Sequence, residues 1–515
     1  MSDNLGLLSF QGIPKTKQYL YSLLAGILFS LSFSPLDLWW LPFVSIFILL
    51  YLLEKLDYKE SFMVGWFFGI GVFCYGTWWL SVSIKKFGID ILLVPELLTS
   101  LFIIGMAIYF GLFGITIRYF REKLVLNPSI ISFIWLMLEL LRSKLFTGFP
   151  WLILGYSQLD GPLNSIFPFV GSYGCSWLVV FLVSILYKIF HFRSIATCLQ
   201  CLCLFPLLIL ILGYCDNKTL TFPYQDTLSV SLIQGSVNQD VKWDYYQRTS
   251  NFVKYRTLSD TEWSSDLIVW PETAVTILDT DISAELAELK SRAITTNTNI
   301  VLGIPTFVDG NIYNSALNLG SGQSTYSKRH LVPFGEYFPF GTWGKLLQST
   351  LQIPMSNLTV GESTNDSFIL NDSISVGMAI CYEIAFPSFV FSSIPKSGFL
   401  IHISNDDWFG DTVAPFQHLQ IARVRALESG RPIIRSTNTG LTVLIDYKGN
   451  VVKQSPQFIE HVLRANVNPR KGETLYVKYR DFPIILISAL LGALCLIRGA
   501  KNSNKGFSYL NKSNK

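Results

Sequence analysis

GMAICYEIAF occupies residues Gly377–Phe386. A short apolar run with the character of a buried strand stops at Cys381, and Tyr382 and Glu383 follow at once. The chain has 8 cysteines, and the others (Cys74, Cys175, Cys198, Cys201, Cys203, Cys215 and Cys495) lie in or at the edge of strongly apolar segments. Cys381 alone falls in the polar part of the chain. A thiol is a weak nucleophile until it loses its proton, and an unperturbed cysteine has a pKa of about 8.5. A working thiol at this position needs a base or a cation nearby. The five histidines (His191, His330, His402, His418 and His461) form no protease-like signature with it, although spacing alone leaves a Cys–His pair open. A carboxylate can serve as the base instead, with a lysine to lower the thiol pKa and steady an oxyanion.

The same local grammar occurs twice more. Glu272 follows an apolar run in LIVWPETA, residues 267–274, and Lys328 follows a β-like run in TYSKRHLVPFGEYFPF, residues 325–340. Around these three places the chain alternates strand and helix signals. Strands are expected within LSVSLIQGSV, SDLIVWPETA, NIVLGIPTFV, SISVGMAICYE, FLIHISNDDW, RPIIRSTNTG and LTVLIDYKGN. Helices are expected near 282–296 and 416–428; the second ends in ESGRP, where Gly430 suits the position after a helix and Pro432 prevents continuation. Alternating strands and helices predict a layered α/β domain, with chemistry-bearing residues at its strand ends.

Outward from that domain the composition changes. Half of the 515 residues are hydrophobic, 15% are charged and the mean hydropathy is +0.39, too apolar for an ordinary soluble protein. A transmembrane helix needs about 20 mostly apolar residues. Candidates lie near 19–36, 38–54, 61–83, 90–117, 126–142, 165–188 and 195–214, with an eighth near 482–497. The stretch before Tyr19 is polar and no small-residue cleavage site follows the first apolar run, so it reads as a retained anchor. The expected organisation is a membrane domain of seven helices over 1–214, an extracytoplasmic catalytic domain over 215–480, and a last helix with a basic tail over 481–515.

Short-loop charges set the orientation. One side carries Lys15, Lys17, Lys55, Lys59, Arg118, Arg121, Lys123, Lys188 and Arg193, and the tail adds Arg498, Lys501, Lys505, Lys512 and Lys515. The other side carries only Lys85, Lys86, Arg142 and Lys144. Both termini are therefore expected in the cytoplasm. The net charge of +4 gives no case for nucleic-acid binding. No zinc-type cysteine–histidine spacing is present, and no metal or cofactor is expected.

The contexts of Glu272, Lys328 and Cys381 resemble the nitrilase, or carbon–nitrogen hydrolase, superfamily, whose enzymes use a Glu–Lys–Cys triad. The match is closer still to its membrane branch, the bacterial apolipoprotein N-acyltransferases. WPET, KRHLVPFGEYFPF, CYEIAFP and SNDDWFGDTVAPFQHLQIARVRALESGRPIIRSTNTG carry the resemblance, with LELLRSKLFTGFPWLILGYSQ in the first half. One departure is Asp407, where a small residue is more usual.

The resemblance implies an αββα sandwich fused to about eight transmembrane helices in the bacterial inner membrane, with the catalytic domain on the periplasmic side. It implies acyl transfer from a phospholipid, through a cysteine thioester, to the N-terminal amine of a diacylglyceryl-cysteine apolipoprotein at the bilayer. Cys381 would be the nucleophile, Glu272 the general base and Lys328 the oxyanion stabiliser. Glu336 and Glu383 match further acidic positions, and Trp243 and Tyr382 match aromatic positions lining the site. Glu336 could instead hold a loop by an ion pair, and Trp243 could be interfacial packing. Arg142, at a helix end, could snorkel to the interface, meet a substrate headgroup or serve a structural partner. The competing readings are a membrane-tethered amidase with the same triad, and a non-catalytic receptor or transporter.

Overall fold

The computed structural model describes residues 14–123, 127–192, 195–224, 226–322, 324–339, 357–362, 368–371, 374–495 and 497. Arg193 and the basic tail beyond 497 lie outside the described residues.

The first part of the chain is helical. Lys15–Ser30, Leu41–Leu52, Tyr58–Thr77, Leu80–Lys86, Val94–Lys123, Pro128–Arg142, Phe167–Phe192 and Ile195–Asn217 follow one another, joined by short turns and a longer irregular segment after Arg142. Among the described residues, two helical stretches, Val94–Glu122 and Asn164–His191, are long and apolar enough to cross a membrane. The segment expected to span over 61–83 is not one straight helix: Tyr58–Thr77 and Leu80–Lys86 are bent by 50° at the Trp78–Trp79 break. Leu41–Leu52, Pro206–Asn217 and Phe482–Cys495 are apolar but shorter. Glycines let the helices approach backbone to backbone. A Cβ at Gly65 would overlap the carbonyl oxygen of Phe110, and one at Gly26 would overlap that of Phe68.

The strands come later: a short antiparallel pair, Phe222–Pro223 with Arg470–Lys471, and two six-stranded sheets. The first contains β1 (Leu228–Gln234), β2 (Leu267–Val269), β3 (Asn299–Val308), β4 (Asn311–Asn318) and β5 (Thr325–Ser327). The second contains β6 (Phe368–Asn371), β7 (Ile374–Ile380), β8 (Leu400–Ser404), β9 (Ile433–Thr437), β10 (Val443–Ile445) and β11 (Val451–Gln454); β12 (His461–Val467) returns to the first. The orders are β12-β1-β2-β3-β4-β5 and β11-β10-β9-β8-β7-β6. In each, three central strands run parallel (β1, β2 and β3; β7, β8 and β9) and the flanking strands are antiparallel. All seven expected strands are present, within the ranges read from the sequence.

The sheets face each other across a core that includes Val230, Leu232, Leu267 and Val269 on one side and Val376, Met378, Ile401 and Ile434 on the other. Helices Arg248–Leu258 and Ser283–Thr296 cover the outer face of the first sheet through Phe252, Tyr255, Leu286 and Leu289. Helix Ala414–Ser429 covers the outer face of the second.

That last helix holds the molecule together. Every one of its residues except Phe416 and Arg423 is buried, although its sequence is polar enough for a surface helix. One apolar core runs from Ile433 and Val443, through Ala422, Val424 and Ala426, to Tyr173 and Val179 of the helical part. Several of its polar groups are paired inside that contact. Arg425 and Glu428 form a fully buried ion pair at 2.8 Å. Glu428 also accepts from the Ser172 N–H at 2.7 Å, and Arg425 donates to the Tyr156 hydroxyl at 3.1 Å. Burial of these groups without such partners would cost several kcal/mol, so the pairing fixes how the two parts dock.

Candidate active site

Each functional side chain stands at a strand exit. The chain leaves β2 through Trp270 and Pro271 and turns sharply, with Thr273 at φ 46°. That turn fits because Gly303 lies beneath it: a Cβ there would sit 2.7 Å from Glu272 Cα and 2.6 Å from the Thr273 nitrogen. The chain leaves β7 at Cys381, a non-glycine residue at φ 51° that opens the short turn Cys381–Ala385. A left-handed cysteine costs backbone strain and lifts its side chain out of the strand's run. Lys328 follows β5, anchored by its N–H on the Asn314 carbonyl at 2.8 Å.

These turns bring the charges together. Lys328 Nζ donates to Glu272 Oε1 at 3.2 Å and to Glu336 Oε1 at 2.7 Å. Asn314 Nδ2 donates to the same two oxygens at 2.8 and 3.1 Å, and the Asn405 N–H donates to Glu272 Oε2 at 2.9 Å. The Val332 N–H holds Glu336 Oε2 at 2.8 Å. Glu272 and Lys328 are 5% and 1% exposed, so each needs the other's charge. Burial opposes ionisation of Glu272, but Lys328, Asn314 and Lys242 outweigh it and hold the carboxyl below its usual range. Burial likewise opposes the Lys328 charge, while Glu272 and Glu336 hold it well above its ordinary value. The Cys381 thiol is buried, and burial with the Glu272 charge pushes it far up against the pull of Lys328. At rest, therefore, the proton sits on sulfur and the charge sits on Glu272.

The other expected residues fall into distinct places. Glu383 makes no hydrogen bond to Glu272, Lys328 or Cys381. Its two oxygens accept from the Ile380, Arg329 and His330 N–H groups at 2.8, 2.6 and 3.2 Å and from the Tyr326 hydroxyl at 2.9 Å. It ties the Lys328 turn to the Cys381 turn. The Tyr382 hydroxyl donates to the Gly148 carbonyl at 3.0 Å and so joins the nucleophile turn to the segment after Arg142. Trp243 is half-buried, and its Nε1 is buried without a partner among the described residues.

Arg142 does not snorkel. It is 3% exposed, and its guanidinium donates to the carbonyls of Phe149 (3.0 Å) and Trp151 (2.5 Å). The apolar helix leaves it no water to reach, and the irregular 149–152 backbone supplies the acceptors instead. Asp407 pairs with Lys86 at 3.0 Å and accepts from the Gln239 N–H at 2.7 Å.

Some of the machinery escapes sequence reasoning. The Cys381 carbonyl lies against two imidazoles, His402 Nε2 at 3.1 Å and His418 Nε2 at 3.2 Å. A carbonyl only accepts and a guanidinium only donates. Arg435 donates to His402 Nδ1 at 2.8 Å, which leaves the proton on Nε2, facing the carbonyl. His418 lies between the same carbonyl and Asp406, its Nδ1 3.1 Å from Asp406 Oδ1, and burial and the Arg435 charge keep its pKa below the usual value. Arg435 is itself held by Asp406 at 2.6 Å. This buried cluster fixes the peptide of the strained cysteine. The Asp309-Gly310 turn is the signal that could have found β4 and hence Asn314, because Asp-Gly between apolar runs marks a two-residue hairpin. Among the described residues, no three His, Cys, Asp or Glu side chains group as a metal ion's ligands would.

A sandwich of this topology, with Glu, Lys and Cys at three strand exits, defines a carbon–nitrogen hydrolase-type domain, and residues 229–475 match the carbon–nitrogen hydrolase family model. Residues 25–185 match the apolipoprotein N-acyltransferase N-terminal domain. The chain is 35% identical over 492 residues to an apolipoprotein N-acyltransferase of Photobacterium profundum, covering 92% of this chain and 94% of that protein. It is 37% identical over 506 residues to one from Pseudomonas paraeruginosa, covering 93% and 96%. The chain belongs to the apolipoprotein N-acyltransferase family. Among solved structures, a carbon–nitrogen hydrolase from Helicobacter pylori aligns with 47% of this chain and 89% of its own, at 14% identity and a TM-score of 0.35.

Removing the Glu383 carboxylate leaves three backbone N–H groups and a hydroxyl without their acceptor. Glu383→Ala should therefore displace Lys328 and slow modification of Cys381 by about 10²-fold, as expected when a reacting group is misplaced by about 1 Å. Glu383→Gln, which keeps one carbonyl oxygen, should fall between this variant and wild type. Rates of Cys381 labelling, followed by peptide mass spectrometry, check both.

Proposed function

We propose that this acyltransferase N-acylates lipoproteins in two half-reactions on Cys381, with a membrane phospholipid as acyl donor. The observation that carries the reading is the pairing of an ionised Glu272 with Lys328 at 3.2 Å, beside a protonated, strained Cys381. In the first half-reaction Glu272 takes the thiol proton as the sulfur attacks the donor ester carbonyl. Lys328, with the Tyr382 backbone N–H as second donor, stabilises the oxyanion. Collapse breaks the ester C–O bond, the alkoxide takes the proton from Glu272, and lysophospholipid leaves a thioester on Cys381. In the second, the N-terminal amine of a diacylglyceryl-cysteine attacks that thioester, again with Glu272 carrying the proton, and an amide forms as the thiol returns.

Helices attached to such a site have a physical reason. Each CH₂ removed from lipid into water costs about 0.8 kcal/mol, so an acyl donor stays in the bilayer and the thiol must come to it. The loop charges support an eight-span arrangement in the inner membrane: 1–214 with seven helices, 215–480 on the periplasmic side, and 481–515 returning the tail to the cytoplasm. Several of these helices are shorter than a straight span, and bent or paired helices would make up the crossing, as at the Trp78–Trp79 break.

An assay with phospholipid vesicles tests the chemistry. With a diacylglyceryl-cysteine peptide present, amide product and lysophospholipid should appear in equal amounts, and Glu272→Gln should give neither. Steady release of free fatty acid without any peptide would indicate a hydrolase instead. For topology, engineered surface cysteines within 215–480 should react with an impermeant thiol reagent added to spheroplasts, and cysteines in the tail should not. A tail labelled from outside would overturn the eight-span arrangement.

A further inference from the structure

Neither half-reaction uses Lys242, yet it is the second lysine buried at this site. It ends the short helix Gln239–Lys242 and is 1% exposed. Its Nζ donates to the Glu272 backbone carbonyl at 3.3 Å and to Thr273 Oγ1 at 2.9 Å. Both are neutral oxygens. Among the described residues no carboxylate pairs with it directly; Glu272 and Asp407 act on it through space. Burying an ammonium against two neutral acceptors is unfavourable unless its charge serves something nearby.

The charges around it say what that is. Glu272 and Glu336 share one cation, Lys328, at 3.2 and 2.7 Å. Two carboxylates on one ammonium hold a proton more readily than one does, because like charges resist joint ionisation. Asp407, the remaining acid facing Lys242, already has Lys86 at 3.0 Å. Lys242 therefore supplies a second positive charge that favours the ionised form of Glu272. Its position is also fixed. The Gln239 N–H is held by Asp407 at 2.7 Å, the Gln239 side chain accepts from Asn405 at 2.6 Å, and the Lys242 carbonyl accepts from Asn251 at 3.3 Å. The ammonium thus clasps the Glu272–Thr273 turn from behind, where Thr273 has φ 46°.

We propose that Lys242 is a positioning residue for Glu272: its buried ammonium pins the strained turn that carries the base and supplies the second positive charge that keeps this carboxylate ionised. The inference rests on the reading of Glu272 as the base. Burial brings Lys242 down to about 8, against the pull of Glu272 and Asp407, so it remains cationic at neutral pH.

Lys242 lowers the Glu272 pKa, so removing its charge raises that pKa and moves the acid limb of Cys381 reactivity to higher pH. The groups facing Glu272 in this profile are Lys328, Lys242, the Cys381 thiol and, across Lys328, Glu336. The rate of iodoacetamide modification of Cys381 is measured against pH by peptide mass spectrometry, on the full chain in detergent. In Lys242→Met and Lys242→Gln the acid-limb midpoint should rise by about one pH unit or more, the scale expected for loss of one nearby opposite charge. Lys242→Gln keeps donors for the two oxygens, so it separates charge from hydrogen bonding. Lys242→Arg should keep the wild-type midpoint. An unchanged midpoint in either neutral variant would overturn the inference. So would failure of both neutral variants to fold while Lys242→Arg folds, since the charge would then serve the fold and not the base. Glu272→Gln is the control: wild-type reactivity in that variant would remove Glu272 as the base, whatever Lys242 does.

Discussion

A carboxylate that must remain charged where water is nearly absent is the constraint around which the catalytic half is arranged. Glu272 is 5% exposed, and an isolated carboxylate at such a position would take up a proton. The Lys328 ammonium at 3.2 Å prevents this, and the surrounding turns exist in the form they do because they serve that pair. Asn314 reaches it from a hairpin, the Asn405 N–H from the end of β8, and Glu336 from the turn after Lys328. The thiol is in the opposite condition. Burial and the neighbouring carboxylate keep its proton in place. A thiol guarded this way resists oxidation and side reactions between turnovers.

The second dependency is mechanical. Helix Ala414–Ser429 lies between the second sheet and the helical part, and its buried Arg425–Glu428 pair reaches the Ser172 N–H and the Tyr156 hydroxyl. The same helix carries His418 to the Cys381 carbonyl, and Gln417 accepts from the Trp151 indole at 2.7 Å. Trp151 belongs to the segment that Arg142 gathers through its carbonyl contacts. A rigid chain of contacts therefore connects the peptide of the nucleophile to the helices. That chain of contacts fixes where Cys381 stands relative to the helical part.

What was legible in the sequence follows from what each residue needs. Buried parallel strands are continuous apolar runs, so β1, β2, β3, β7, β8 and β9 stand out, and the residues at their exits stand out with them. β12 has the alternating burial of a strand covered on one face, and HVLRANV carries that alternation in weaker form. β4 was harder, because NIYNSALN mixes polar residues that turn out to face Glu272 and the second sheet. The buried histidines and Arg435 give no periodic signal; only the folded structure shows that a carbonyl, two imidazoles, a guanidinium and Asp406 satisfy one another. Arg142 illustrates the same limit. A charge at the end of an apolar helix reads as bound for the interface until the irregular backbone that accepts its hydrogen bonds is seen. In the helical part the run read over 61–83 hides a break, since the apolar stretch continues through the turn at Trp78–Trp79, whereas Val94–Lys123, Phe167–Phe192 and Ile195–Asn217 are longer than the runs read for them.

The central claim is that an acyl group resides on Cys381 between donor and acceptor. Mass spectrometry of the purified protein after exposure to phospholipid vesicles, with no lipoprotein peptide present, tests it most directly. The account predicts a gain of one acyl chain, confined to the peptide that carries Cys381 and lost on addition of a diacylglyceryl-cysteine peptide. An unmodified Cys381 under conditions in which the same preparation transfers acyl chains to that peptide would contradict it.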